Sequence, residues 1–240
     1  MRAGQRRHIN TSAPAAPTQP TMTSGKFITF EGGEGSGKST QARRLADALK
    51  ARGIDVVLTR EPGGSPFAES VRKILLDPAT PKHAALSEAL LFYAARADHI
   101  ATVIRPTLAA GCWVISDRFS DSTRVYQGHA GSLDASTIEA LEKIVVVPTV
   151  PDITFVIDVP AEIGLTRATA RRIEKVPTGS KPDTYESRDL AFHRRLRDGF
   201  LAVARAEPQR CRVIDGLAGE NDVAAEVWSA VQSRFLAKAR

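Results

Sequence analysis

The sequence predicts a three-layer α/β fold, a parallel sheet with helices packed on both of its faces. Three observations predict it. From residue 26 onward, short apolar runs rich in β-formers alternate with longer stretches of helical periodicity. Apolar strands separated by helices suit a parallel sheet covered on both sides. The first apolar run also passes through EGGEGSGKST straight into a helical pattern. In that stretch Gly32, Gly37, Lys38 and Ser39 match G-x-x-x-x-G-K-[ST], the phosphate-binding P-loop. With Gly at about 7% of residues, chance would give this pattern in roughly one chain of this length per hundred, so the motif is informative.

The elements follow in order. KFITFE, residues 26–31, is the first strand, and the helical pattern over 38–52 closes at Gly53, placed as a C′ cap. IDVVLT (54–59) is the second strand, followed by helices over 66–77 and 85–110, the latter capped by Gly111. CWVISD (112–117) is the third strand, and 134–145 the next helix. DITFVIDV (152–159) and CRVID (211–215) complete a five-stranded sheet, with helices over 161–173, 186–205 and 220–237. Residues 1–24 are poor in large apolar side chains and rich in Ala, Pro, Thr and Ser, so a disordered tail is expected there. Met22 is a candidate initiator, and 25–240 forms the single domain expected of an α/β chain this size.

Composition narrows the classes. At 42% hydrophobic and 25% charged residues, the chain is an ordinary globule. No apolar run approaches the roughly 20 residues of a membrane span, so no membrane partner is expected. Cys112 and Cys211 have neither metal nor disulfide-framework spacing. A reducing compartment, the cytoplasm, fits them. Cys112 lies in an apolar run and is expected to be a buried small hydrophobe. The net charge is +6, but Arg2, Arg6, Arg7 and Lys26 precede the first acid, Glu31, which leaves +2 for residues 31–240. A nucleotide substrate accounts for that charge better than a nucleic acid does.

The P-loop chemistry explains its residues. Gly32, Gly33, Gly35 and Gly37 let the backbone turn tightly, with Glu34 and Ser36 between them, so that successive N–H groups meet phosphate oxygens. The following helix adds the positive end of its dipole. Lys38 can reach the outer phosphates, and Ser39 can ligate Mg²⁺. A nucleoside triphosphate and Mg²⁺ are therefore the expected ligands. The chain lacks Asn-Lys-x-Asp, which argues against a GTP switch.

Three further motifs fall on the same edge of the predicted sheet or on the helix facing it. Asp117 and Arg118 end the third strand, where a carboxylate can hold Mg²⁺ and an arginine can clamp phosphate. Thr59-Arg60-Glu61-Pro62-Gly63-Gly64 ends the second strand and could equally be a Pro-Gly turn with a solvated ion pair. Phe92 and Arg96, four apart on one helix face, suit stacking and edge-bonding of a base. A core ring beside a surface arginine is the plainer alternative.

Together EGGEGSGKST, TREPGG, LLFYAARADH, DRFSDSTRVYQG, and PDITFVIDV with GLTRATARR resemble the bacterial thymidylate kinase family in order and spacing, over residues 26–215. The resemblance implies ATP-dependent phosphorylation of dTMP to dTDP. It implies roles for Lys38 and Ser39 toward ATP and Mg²⁺, for Asp117 toward the metal and for Arg118 toward the phosphates. It also implies that Arg60 grips the acceptor phosphate, Phe92 stacks on thymine and Arg96 bonds a thymine carbonyl. Thr123 and Tyr126 match positions near the base edge and deoxyribose, and Glu34 one near the acceptor sugar and metal. It implies a two-fold homodimer as well. Independently, Leu86, Leu90, Leu91, Ala94, Ala97, Ala101, Ile104 and Leu108 make a stripe too broad for one buried helix face.

One departure matters. The resemblance makes residues 171–185 a short lid over ATP, and family members often carry Asp-Arg-x-Glu where this chain has Asp183-Thr184-Tyr185-Glu186. Lid catalysis must then rest on Arg167, Arg171 or Arg172, and the sequence leaves open which. A kinase acting on a deoxynucleoside, with Glu61 as its base, is the rival of the same fold. An ATP-binding module without turnover is the rival from another class. A monophosphate acceptor needs no base, because its second pKa is about 6. His99, His129 and His193 are accordingly expected to be structural or solvated.

Overall fold

A computed structural model describes residues 25–175 and 184–237. The expected tail over 1–24 and the middle of the expected lid, 176–183, lie outside the described residues. Strands β1 (Phe27–Glu31), β2 (Val56–Arg60), β3 (Trp113–Asp117), β4 (Ile153–Asp158) and β5 (Cys211–Asp215) form one sheet. Their order is β2-β3-β1-β4-β5, and every pair is parallel. β1 is central because all of its residues are buried, with Phe27, Ile28 and Phe30 facing covered layers on both sides.

One layer is built by α1 (Lys38–Lys50) and α9 (Glu220–Val231). Leu45 and Leu49 of α1 and Val227 and Val231 of α9 pack with Ile28, Phe30, Ile115, Phe155 and Ile214. The opposite layer has two parts. Tyr93 of α3 (Ala85–His99) joins Phe27, Val114 and Phe119, while Phe192, Leu196 and Phe200 of α8 (Leu190–Ala206) pack on Val156 and Tyr126. Because adjacent strand residues point to opposite faces, Phe27 and Ile28 feed different layers.

Several expectations shift at their edges. The helix over 85–110 is one rod, but its i→i+4 ladder widens to a π turn at Ile100–Ile104 before α4 (Arg105–Ala109). The helix expected from 186 begins at Leu190, because the Asp189 side chain accepts from Phe192 N at 2.7 Å and caps it. The pattern over 220–237 ends in a π turn at Gln232–Leu236. A helix absent from the sequence reading follows β3: α5 (Ser120–Thr123), continued by a π turn at Arg124–His129. The remaining helices, α2 (Pro66–Leu76), α6 (Ala135–Val145) and α7 (Ala161–Lys175), lie close to their expected ranges. Cys112 is a correction: it is half-buried just before β3, whereas Cys211 is the buried one. Burial pushes the Cys211 thiol up to about 11, with Asp121 adding to the effect, so it is not a reactive thiolate.

Candidate active site

The chain reverses direction across the sheet at β1, so the crevice beyond its carboxyl end is where this class of sheet binds ligands. A cavity of about 360 Å³ opens there. Its lining draws Glu34 to Ser39 from the β1–α1 loop, Arg60 and Glu61 from the end of β2, and Phe92 and Arg96 from α3. Asp117, Arg118, Thr123 and Tyr126 come from β3 and the helix after it, and Arg171 from α7.

The loop takes the shape that its glycines permit. Gly35 has φ +64°, and a Cβ there would sit 2.0 Å from the Gly164 carbonyl oxygen. Gly37, at φ +99°, is the left-handed residue that turns the chain into α1. Gly32 and Gly33 stand behind the cavity wall, and their carbonyls accept from Arg118 Nη1 (3.1 Å) and Lys38 Nζ (2.6 Å). Ser36 Oγ lies 3.3 Å from the same ammonium. Burial pushes Lys38 down to about 8, aided by the Arg118 charge and opposed by Glu34, Asp117 and Glu31. Ser39 Oγ donates to the Asp117 carboxylate, which joins the expected metal pair.

Arg118 sits among acceptors. Its Nη2 donates to Glu34 Oε1 at 2.7 Å, and its guanidinium lies over the Tyr126 ring, 5.0 Å from the centroid. Tyr126 OH donates to the same Glu34 oxygen at 2.6 Å. Burial alone would raise the Glu34 pKa, but Arg118, Lys38 and this hydroxyl hold its carboxyl well below the usual carboxylate range. Glu34 is therefore a fixed anion joining the P-loop to the helix after β3.

The motif at the end of β2 splits in two. Arg60 is exposed and pairs with Glu69 at 3.1 Å, so its guanidinium has a surface ion pair, though with a partner outside the motif. Glu61 does not. It is buried, accepts from Arg96 Nε at 2.7 Å, and its other oxygen lies 2.9 Å from His99 Nδ1. A carboxylate only accepts, so His99 Nδ1 carries a proton, and Nε2 lies 2.8 Å from Thr59 Oγ1. His99 is structural, as expected. Glu61 has two committed donors and does not stand free as a base.

Arg96 is no surface arginine either; it is 2% exposed, with Nη2 donating to Phe119 O at 3.2 Å. Its Nη1 has no partner among the described residues, nor does Thr123 Oγ1, although both atoms are buried. Phe92 is half-buried on the same wall, its centroid 6.2 Å from that of Tyr185.

Among the lid arginines, Arg171 lines the cavity, whereas Arg167 Nη1 donates to Gly216 O at 2.9 Å and Arg172 lies 3.9 Å from Glu186. The sequence reading passed over Arg72, Gln127 and Tyr185, which also line the cavity. Gln127 Nε2 bonds Glu88 at 3.0 Å and Tyr185 OH at 3.3 Å, tying α3 to the segment before α8. The only sequence signal for Gln127 was its place beside Tyr126. Arg72 lay in an unremarked helix.

A family model described as Thymidylate kinase matches residues 30–227. A curated thymidylate kinase of Caulobacter vibrioides is 54% identical over 214 residues, covering 89% of this chain and 99% of that protein. One of Nitrobacter winogradskyi is 51% identical over 212 residues, covering 88% and 90% respectively. Among solved structures, the thymidylate kinase of Ehrlichia chaffeensis superposes with a TM-score of 0.68 at 38% identity, covering 87% of this chain and 99% of that one.

Proposed function

The chain belongs to the bacterial thymidylate kinase family, and from that membership we infer that it transfers the γ-phosphoryl group of ATP to dTMP, supplying dTDP for dTTP synthesis. The observation that carries the acceptor assignment is a pair of buried atoms lining one cavity, Arg96 Nη1 and Thr123 Oγ1, that have no partner among the described residues. Leaving a buried polar atom unsatisfied costs about 1–3 kcal/mol. A base with a carbonyl and an N–H on one edge satisfies both atoms, the first as donor and the second as acceptor. Phe92 offers its face to the ring, and Tyr126 stands near the sugar.

We place the acceptor phosphate beside Arg60, and the triphosphate along Gly32, Gly33, Glu34, Gly35, Ser36, Gly37, Lys38 and Ser39. Lys38 and Arg118 neutralise charge as it redistributes over the transferred group. The acceptor is already an anion, so the chain supplies positioning and countercharge and no general base. Ser39 Oγ and the Asp117 carboxylate, already adjacent, are the hard oxygen donors that suit Mg²⁺. Held by these two residues, Mg²⁺ would supply positive charge to offset the phosphates. Arg171 is the lid cation we favour, because of the three arginines it is the one that lines the cavity.

We also propose a homodimer through α3. Leu86, Leu90, Ala94, Ala97 and Ala101 form an exposed stripe at i, i+3 and i+4 spacing, with Leu86 and Leu90 nearly half exposed. Sedimentation at micromolar concentration should give twice the chain mass, and a monomer would overturn the interface. No helix among the described residues is long and apolar enough to cross a membrane. We place the enzyme in the cytoplasm with its nucleotide substrates. The deciding assay follows ADP release with ATP and Mg²⁺ and either dTMP, thymidine or no acceptor. Turnover should require dTMP, and a preference for thymidine would sink the assignment.

A further inference from the structure

Arg118 is the one described non-glycine residue with positive φ, at +72°. Left-handed backbone is sparsely populated for a side chain this large, and it persists only where the surroundings over-determine it. The surroundings are specific. Arg118 N donates to Phe30 O at 2.9 Å, and Arg118 O accepts from Ser116 Oγ at 2.7 Å. On the far side of the turn stands Glu31, the last residue of β1, fully buried. Its Oε1 accepts from Phe119 N at 2.7 Å and Ser122 N at 3.3 Å, and its Oε2 accepts from Ser122 Oγ at 2.6 Å. That hydroxyl oxygen in turn lies 3.3 Å from Arg118 Nη1.

We propose that Glu31 is a positioning residue for Arg118, holding the strained turn after β3 so that the guanidinium faces the P-loop. Two connections carry the effect. Through Phe119 N and Ser122 N the carboxylate fixes the backbone immediately after Arg118, and through Ser122 Oγ it fixes the side chain. A buried carboxylate is an expensive choice for a purely structural turn. Burial, with Asp121 adding its own charge, raises Glu31 to about 7. An acceptor at the end of β1, directly before the P-loop, that binds three donors in the segment after β3 ties the phosphate loop and its clamp into one unit. Pre-aimed charge of this kind acts without reorganisation during the reaction.

The inference rests on the reading of Arg118 as a phosphate clamp, and a double-mutant cycle separates the two. Glu31→Gln keeps the shape and removes the anionic acceptor. Expected are a kcat lowered about 30-fold or more, KM for ATP and dTMP within about threefold, and no further loss when Glu31→Gln is added to Arg118→Ala. Ser122→Ala should give a smaller fall, about fivefold, that also vanishes in the Arg118→Ala background; this arm decides if Glu31→Gln does not fold. An unchanged kcat, or an equal loss with and without Arg118, would overturn the positioning role. Wild-type kcat in Arg118→Ala alone would overturn the clamp instead.

Discussion

Glu61→Gln should weaken both the fold and the grip on dTMP, for a single electrostatic reason. The Glu61 carboxylate is 5% exposed and sits 2.7 Å from Arg96 Nε, while Arg96 itself is 2% exposed. Glutamine has the same size but no charge, so the guanidinium would remain in a low-dielectric interior without its counterion. Removing one partner of a buried pair costs about 3–5 kcal/mol, because the surviving charge is uncompensated. The amide oxygen can still accept from Nε, which puts the expectation near the lower end, about 3 kcal/mol. In a chain of 150–250 residues each kcal/mol shifts Tm by about 2–4 °C, so a fall of about 6–12 °C is predicted. The same change frees Arg96 to turn, and a loss of about 1.4 kcal/mol in aim would raise KM for dTMP about tenfold. KM for ATP should change less than about twofold, since no P-loop residue bonds Glu61 among the contacts described. Thermal melts and initial rates on the same preparation test both parts. A Tm within 2 °C of wild type together with an unchanged dTMP KM would refute the reasoning, since Arg96 would then be neutralised and oriented by something else.

Phe92→Ala removes a stacking surface worth about 1–3 kcal/mol, so dTMP affinity should weaken about tenfold to a hundredfold while ATP affinity, read by calorimetry, holds. Equal losses for both ligands would take α3 out of the acceptor site. Arg171→Ala should lower kcat by over about a hundredfold, as cations delivered at the transition state do, with KM for dTMP little changed. Arg172→Ala and Arg167→Ala should cost far less, and the reverse ranking in single-turnover rates would relocate the lid cation. Lys38 is pushed down to about 8, first by burial and then by Arg118, and a lysine loses its charge as pH rises through its pKa. ATP affinity, measured without dTMP, should therefore fall about tenfold per pH unit above about 8, and an affinity flat to pH 10 would contradict that assignment.

What the sequence determined by itself was local in origin. The β1–loop–α1 unit was legible because glycines, a lysine and a serine at fixed spacing encode backbone shape within ten residues. The five strands and the parallel sheet were legible because apolar runs and helical periodicity repeat over short windows. The assignment of Phe92, Arg96, Asp117 and Arg118 to one crevice followed from placing each at a strand's carboxyl end or on the facing helix. Tertiary structure decided what depends on partners far along the chain. Glu61, a candidate base or solvated ion in the sequence, is the buried counterion of Arg96 and His99, 35 and 38 residues away. The helix after β3 escaped notice because its first turn is held by Glu31, about 90 residues upstream, rather than by a cap of its own. Cys112 looked buried from its apolar neighbours, yet β3 begins at Trp113, so Cys112 stands just before the strand and is only half-buried. Arg171 and Arg172 are adjacent and chemically alike, and only the direction each takes from α7 makes Arg171 part of the cavity lining while Arg172 lies 3.9 Å from Glu186. Charge and shape are written residue by residue, but the dielectric surroundings and partners that turn a charged side chain into a clamp, a counterion or a bystander exist only once distant segments have packed.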